Sequence, residues 1–233
     1  MVSLNPNGFY NLRFRFRKVG NLQFVSHLDL VRTFSKIAVR TKLPLWFTEG
    51  FNPKPKLVFS PPLSIGVESE TEFLDVRLTQ YVDPETALAA MNQNVTEEMR
   101  FFDAYYAETK LSDIAFISYE IRIQTAGVSE ELAKKCQETL LADTVLAVKK
   151  GKDGEDKTVD IRPGIHSLTV EEKDGALLLY ATLSSDSSSF LNPDLLIRVL
   201  KEKCNVFAKD DPTEEFLSVK RIAMLDKDMK DFR

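Results

Sequence analysis

Three arginines recur at every second position: Arg13, Arg15 and Arg17. On an extended strand such residues share one face, roughly 7 Å apart. The run therefore predicts a comb of guanidinium groups. A guanidinium is a planar fork of donors that matches phosphate oxygens, and its face stacks on bases. The chemistry expected of the comb is polyanion binding. The other reading is a sheet face whose charge is balanced by acids on a neighbouring strand, with Glu72 or Glu120 as candidates, or arginine stems that lie under a helix.

Two further groups add to the comb. Arg32, Lys36 and Arg40 recur every four residues and share one face of a helix. The loop Thr48-Glu49-Gly50-Phe51-Asn52-Pro53-Lys54-Pro55-Lys56 combines several useful properties. Gly50 allows a positive φ or a close backbone approach. Pro53 and Pro55 stiffen the loop and remove two backbone donors. Phe51 needs a pocket or a ligand, Asn52 can order the turn or read a base edge, and Lys54 and Lys56 supply charge. The competing reading is a rigid connector with Phe51 tucked into the core.

Ser26-His27-Leu28-Asp29 suggests an acid–base pair. Residues i and i+2 on a helix point about 200° apart, however, so His27 and Asp29 do not meet directly. His27 is a weak catalytic candidate, and no other catalytic residue is expected. The chain has no GxxxxGK[ST], no GxGxxG after a strand and no HExxH. Ser185-Asp186-Ser187-Ser188-Ser189 reads as a connector before a helix.

These groups sit in a chain whose charge is unevenly spread. Residues 1–60 carry ten Lys or Arg against two Asp or Glu, a balance of +8. The rest carries 21 basic and 33 acidic residues, a balance of −12, within a net charge of −4. Basic side chains interleaved with aromatics are what a polyanion-binding surface needs. At 233 residues the chain has room for one large domain or two of about 100 residues. No apolar run approaches the roughly 18 residues of a membrane span, and residues 1–6 show no secretory pattern. Cys136 and Cys204 are far apart and form no CxxC pair, which predicts a reduced, cytoplasmic protein. Two cysteines are too few for an iron–sulfur cluster. His27 and His166 lack metal-ligand spacing. No metal and no cofactor are expected.

The elements that must position these groups follow from periodicity. Phe9–Val19 alternates as a strand, with Tyr10, Leu12, Phe14 and Phe16 opposite the arginines. Ser26 caps a helix to about Thr41, with Asp29 in the capping-box position and Leu30, Phe34, Ile37 and Ala38 as its apolar stripe. Strands are expected at 45–48, 57–60 and 72–78, a helix at 85–93 after Asp83-Pro84, and a strand at 101–107. The second half repeats the order. Strands are expected at 116–124, 144–149, 158–161, 165–171, 176–183 and 216–224, helices at 129–142 and 192–203, and a solvated hairpin loop at 149–157. The fold class expected is α+β, with two tandem ferredoxin-like β-α-β-β-α-β units, 1–112 and 113–233. One continuous mixed sheet is the alternative.

One string of residues carries a resemblance. Phe24-Val25-Ser26-His27-Leu28-Asp29-Leu30-Val31-Arg32, Leu43-Pro44, Glu49-Gly50-Phe51-Asn52-Pro53-Lys54-Pro55, Phe59-Ser60-Pro61-Pro62-Leu63-Ser64-Ile65-Gly66-Val67-Glu68-Ser69-Glu70 and Glu72-Phe73-Leu74-Asp75-Val76 resemble the bacterial radical-SAM-linked family of unknown function. The resemblance implies a cytoplasmic accessory protein that works beside a cobalamin-binding radical SAM protein, and it assigns no catalytic residue. A fainter similarity, in element order and Phe59-Ser60-Pro61-Pro62-Leu63, links the chain to the tandem ferredoxin-like ribonucleases that process CRISPR repeat RNA. Their C-terminal glycine-rich loop is missing here.

The expectation is a non-catalytic accessory protein that binds RNA in its N-terminal half and presents it to a separate radical SAM enzyme. Arg13, Arg15, Arg17, Arg32, Lys36, Arg40, Gly50, Phe51, Asn52, Lys54 and Lys56 form the RNA-binding set. The alternatives are an RNA-cleaving or RNA-modifying enzyme that uses His27, and an adaptor that docks the radical SAM partner.

Overall fold

The computed structural model describes residues 8–150, 155–186, 189–207 and 215–233. The chain is α+β, and it divides into two compact units. One comprises the chain up to Asp113 together with Phe232 and Arg233, and the other Ile114–Asp231.

The first unit is built on β1 (Tyr10–Lys18). Its even-numbered residues Leu12, Phe14 and Phe16 are fully buried. They pack against α1 (His27–Arg40), whose buried residues are the expected Leu30, Phe34, Ile37 and Ala38. Ser26 caps this helix by accepting from Asp29 N at 3.2 Å. Phe16 and Phe34 meet edge-on at 5.0 Å, and both contact Phe101. Such pairs add about 0.5–1.5 kcal/mol each beyond area burial.

β2 (Leu57–Phe59) and β3 (Val67–Leu78) follow, then α2 (Pro84–Asn92), capped by Asp83, and β4 (Phe101–Tyr106). The antiparallel pairings place β1 between β4 and β3, with β2 on β3. Two expectations are corrected here. Residues 45–48 form only isolated bridges, Leu45 to Leu78 and Phe47 to Pro55, because Pro44 and the following loop leave too short a run for a ladder. β3 begins at Val67, five residues before the expected start. Its first residues alternate, with Val67, Ser69 and Thr71 buried, Glu68 half-buried and Glu70 exposed.

The second unit begins with β5 (Phe116–Gln124) and α3 (Glu130–Leu141), capped by Ser129. A separate hairpin follows, β6 (Leu146–Lys150) with β7 (Asp156–Asp160). The expected solvated loop at 149–157 lies in part outside the described residues, as does part of the serine-rich connector 185–189. Then come β8 (Ile165–Lys173), β9 (Ala176–Ser184), α4 (Pro193–Cys204) and β10 (Phe216–Leu225). β5 lies between β10 and β9, and β8 pairs with β9. Cys136 on α3 and Cys204 on α4 are both buried free thiols. Burial, then the neighbouring Cys204, pushes the Cys136 thiol up to about 12.

Candidate functional site

β1 is flanked on both sides, and this decides the fate of the arginine comb. Arg13 sits directly opposite Asp75 on β3 and Tyr105 on β4. Its Nε and one terminal nitrogen hold the two carboxylate oxygens of Asp75 at 2.6 and 2.9 Å. The guanidinium also donates to the Thr109 hydroxyl at 2.8 Å and the Thr109 carbonyl at 3.0 Å. Asn11 supplies Asp75 with a further donor at 2.9 Å. Phe232 covers the guanidinium at 5.0 Å from its ring centre, and the Thr109 hydroxyl donates to the carbonyl of Arg233. Arg13 is 0% exposed.

The expectation that Arg13 holds a phosphate is therefore corrected. Its guanidinium is neutralised, hydrogen-bonded and sealed. The neutralising residue is Asp75, not Glu72 or Glu120. Strand period places Glu72 opposite Phe16, on the face that α1 covers. Glu120 pairs within the second unit, opposite Tyr180 and Lys220.

Arg15 and Arg17 are less enclosed. Arg15 lies over the rings of Phe73 and Phe102, at 5.5 and 5.2 Å, and makes one long contact to the Thr71 hydroxyl at 3.4 Å. Its Nε is buried and has no hydrogen-bond partner among the described residues. Arg17 donates to the Glu97 carbonyl at 2.8 Å and stands 3.5 Å from the Glu97 carboxylate. A half-exposed pair of this kind is worth about 0–1 kcal/mol. On α1, Arg32 pairs with Asp29 at 3.1 Å, while Lys36 and Arg40 are exposed.

The loop is the reverse of the strand. Phe51 stands in solvent at 110% relative exposure, so it does not enter the core. The loop around it is braced. Thr48 N donates to the Lys54 carbonyl at 2.9 Å, Lys54 N to the Thr48 hydroxyl at 3.1 Å, and Lys56 N to the Trp46 carbonyl at 3.0 Å. Gly50 has φ +120°, and a Cβ there would meet nothing, so the glycine serves the turn and not a close approach. Asn52 and Lys54 are exposed, and Lys56 is half-buried.

His27 opens α1, and its ring meets Phe59 edge-on at 5.6 Å. Asp29 does not orient it. The Asp29 carboxylate accepts from Ser26 Oγ at 2.7 Å and from Arg32, and the Ser26 hydrogen bond, then Arg32, lowers its pKa.

The sequence reading missed the groups beside His27. Lys18, Ser60 and Glu72 are all buried. Lys18 donates to the Gln23 carbonyl at 3.1 Å, and Ser60 Oγ donates to Glu72 at 2.9 Å. They line a cavity of about 10 Å³ with His27 and Phe59. That is room for one water at most, so the cluster admits no substrate as it stands.

Among the described residues, no cluster of His, Cys, Asp and Glu could hold a metal ion, and no helix is long and apolar enough to cross a membrane.

An α+β protein with a braced, basic, aromatic loop is the class these observations define. The chain belongs to the family described as "Uncharacterized protein conserved in bacteria (DUF2344)", whose pattern matches residues 11–193. No curated protein matches it. Among solved structures it is similar to a chain of "Crystal Structure of a Cbf5-Nop10-Gar1 Complex", with 9% identity, a TM-score of 0.48, and coverage of 96% of this chain and 55% of that one. It is also similar to a chain of "Structure of H/ACA RNP bound to a substrate RNA containing 2'-deoxyuridine", with 10% identity, a TM-score of 0.48, and coverage of 94% and 53%. The chain thus spans about half the length of these relatives. Likenesses of this size define neither fold nor function.

Proposed function

We propose that the chain is a non-catalytic RNA-binding accessory protein whose contact surface is the loop 48–56 and the exposed cations of α1. One observation carries the reading: a phenyl ring fully in water at the tip of a hydrogen-bonded loop, with Asn52 and Lys54 exposed beside it. An isolated apolar ring in water gains nothing for folding. On a braced loop it is a preformed platform, and base stacking on such a ring is worth about 1–3 kcal/mol per base. Lys54, Lys56, Arg32, Lys36 and Arg40 supply phosphate contacts, and Asn52 meets a base edge. Arg13 takes no part.

The same reading takes each unit as ferredoxin-like. Strand order supports it: β4-β1-β3-β2 in the first unit and β10-β5-β9-β8 in the second, with β6–β7 as an insertion. It places the protein in the cytoplasm beside a radical SAM enzyme, as the sequence resemblance implies, and has it present RNA to that enzyme. A second reading, docking of that enzyme, draws on Phe24, Leu28 and Ile65, all more than 60% exposed.

The test is binding of the purified chain to labelled tRNA and rRNA fragments across a salt series, alone and as Phe51→Ala. Affinity that falls with salt and drops in the variant supports the reading. RNA binding that ignores Phe51, or no RNA binding, overturns it and turns attention to docking.

A further inference from the structure

The second unit contains a cavity of about 560 Å³, within the range of small-ligand sites. Its floor is apolar and buried, formed by Ile161, Leu191 and Leu195. Two aromatic rings, Phe116 and Phe190, form part of the wall. His166 stands between the apolar and the polar parts. Its ring meets Phe116 at 4.3 Å, and its Nε2 shares a 2.8 Å hydrogen bond with the buried Ser184 hydroxyl. The rim carries Lys149, Asp160 and Asp186.

The polar groups narrow the ligand class. Asp160 Oδ1 accepts from Val145 N at 2.9 Å and Arg162 N at 3.0 Å, which fixes the carboxylate. Oδ2 accepts no hydrogen bond among the described residues. Asp186 already accepts from the Ser189 amide and hydroxyl, so Asp160 Oδ2 is the acceptor that asks for a ligand able to donate a hydrogen bond. Beside Asp160 and Asp186, Lys149 alone holds a bare phosphate poorly, so a phosphate needs a second anchor on the same ligand. A wholly apolar guest would cover the exposed Asp160 carboxylate without giving it a donor. A flat ring with amino groups on its edge meets the aromatic walls and the acceptors together.

We propose that this cavity binds a nucleobase bearing an exocyclic amino group, as a nucleotide whose phosphate lies toward Lys149. The amino group donates to Asp160 Oδ2, and the ring stacks on Phe190 or Phe116. The site is distinct from the loop in the first unit, and failure of either reading leaves the other standing.

The experiment titrates the full chain with AMP, CMP, GMP and UMP. Affinity is read by calorimetry, and the position of binding by the His166 ring resonances, with His27 as the internal control. Phe190 is 41% exposed, so Phe190→Ala keeps the fold and removes one stacking surface. The expected result is binding of AMP, CMP or GMP with Kd below about 1 mM, at least about fivefold tighter than UMP. His166 shifts while His27 does not, and affinity falls about tenfold in Phe190→Ala. The proposal is overturned if none of the four binds in that range, if UMP binds equally well, or if binding leaves both His166 and the Phe190→Ala affinity unchanged.

Discussion

The arginine strand and the lysine loop come from the same basic quarter of the chain, yet they meet opposite fates. On β1, Arg13 is sealed beneath Phe232 and held by Asp75. Across the loop, Phe51 is in open water and Lys54 is exposed. The difference shows that local charge density does not mark a binding surface by itself. A cation on a central strand has a neighbour on each side, and a single acid in register cancels it. A cation on a loop braced by backbone hydrogen bonds has no such neighbour. On the proposed reading the residue to test is therefore Phe51, since the buried Arg13 is already satisfied by Asp75.

The largest effect expected from this contrast is on stability. Arg13→Ala leaves Asp75 as an uncompensated buried charge and is expected to cost about 3–5 kcal/mol. Chemical denaturation measures it, and Asp75→Ala should cost as much. A loss below about 1 kcal/mol would mean that the buried pair behaves like a surface one, and the contrast would fail.

Next is Phe51→Ala, with the opposite signature. Stability should stay within about 0.5 kcal/mol of the parent, while RNA affinity weakens by about 1–3 kcal/mol. Thermal unfolding and RNA titration on the same preparation read both numbers.

The Lys54→Ala/Lys56→Ala double variant sharpens the electrostatic half. Loss of two phosphate contacts should reduce the slope of log K against log salt by about 1.4 for single-stranded RNA. An unchanged slope would remove the lysines from the interface.

pH offers a smaller probe of the buried side. Burial raises the pKa of Tyr105, opposed by Arg13, so its folded pKa lies above its unfolded value near 10. Its contribution is therefore intact below the unfolded pKa and is lost as pH rises through the folded one. Tyr105→Phe should flatten the alkaline limb of a stability–pH curve, and a limb identical to the parent's would exclude Tyr105 as its source. The smallest effect is Arg17→Ala. Its half-exposed contacts with Glu97 predict a loss under about 1 kcal/mol by denaturation.

The elements were more legible than their partners. The stripe Leu30, Phe34, Ile37 and Ala38 identified the buried face of α1, and Ser26, Asp83, Ser129 and Asn192 marked four helix starts, because caps and periodicity are local. The same alternation placed Arg13, Arg15 and Arg17 on one face. Which face is covered depends on strand order and register, and these are set by residues 62 and 96 positions away. Asp75 appeared as one acid in an alternating strand, while Phe232 lay far outside the basic quarter. The Lys18, Ser60 and Glu72 cluster was hidden for the same reason, since each of its members comes from a different strand or turn. The exposure of Phe51 was also undecided, because a turn can tuck a phenyl inward or leave it out without any change in sequence.

The covering of Arg13 has a consequence for how the protein is made. Phe232 and Arg233 belong to the first unit, and the whole second unit is encoded between them and the rest of it. At about 5–20 residues per second, a ribosome needs on the order of ten seconds to cross that interval. Throughout that time the newly emerged β1 carries Arg13 without its lid. A nascent chain held at this stage should be open to proteases around Thr109 and should gain protection only once residue 233 clears the exit tunnel.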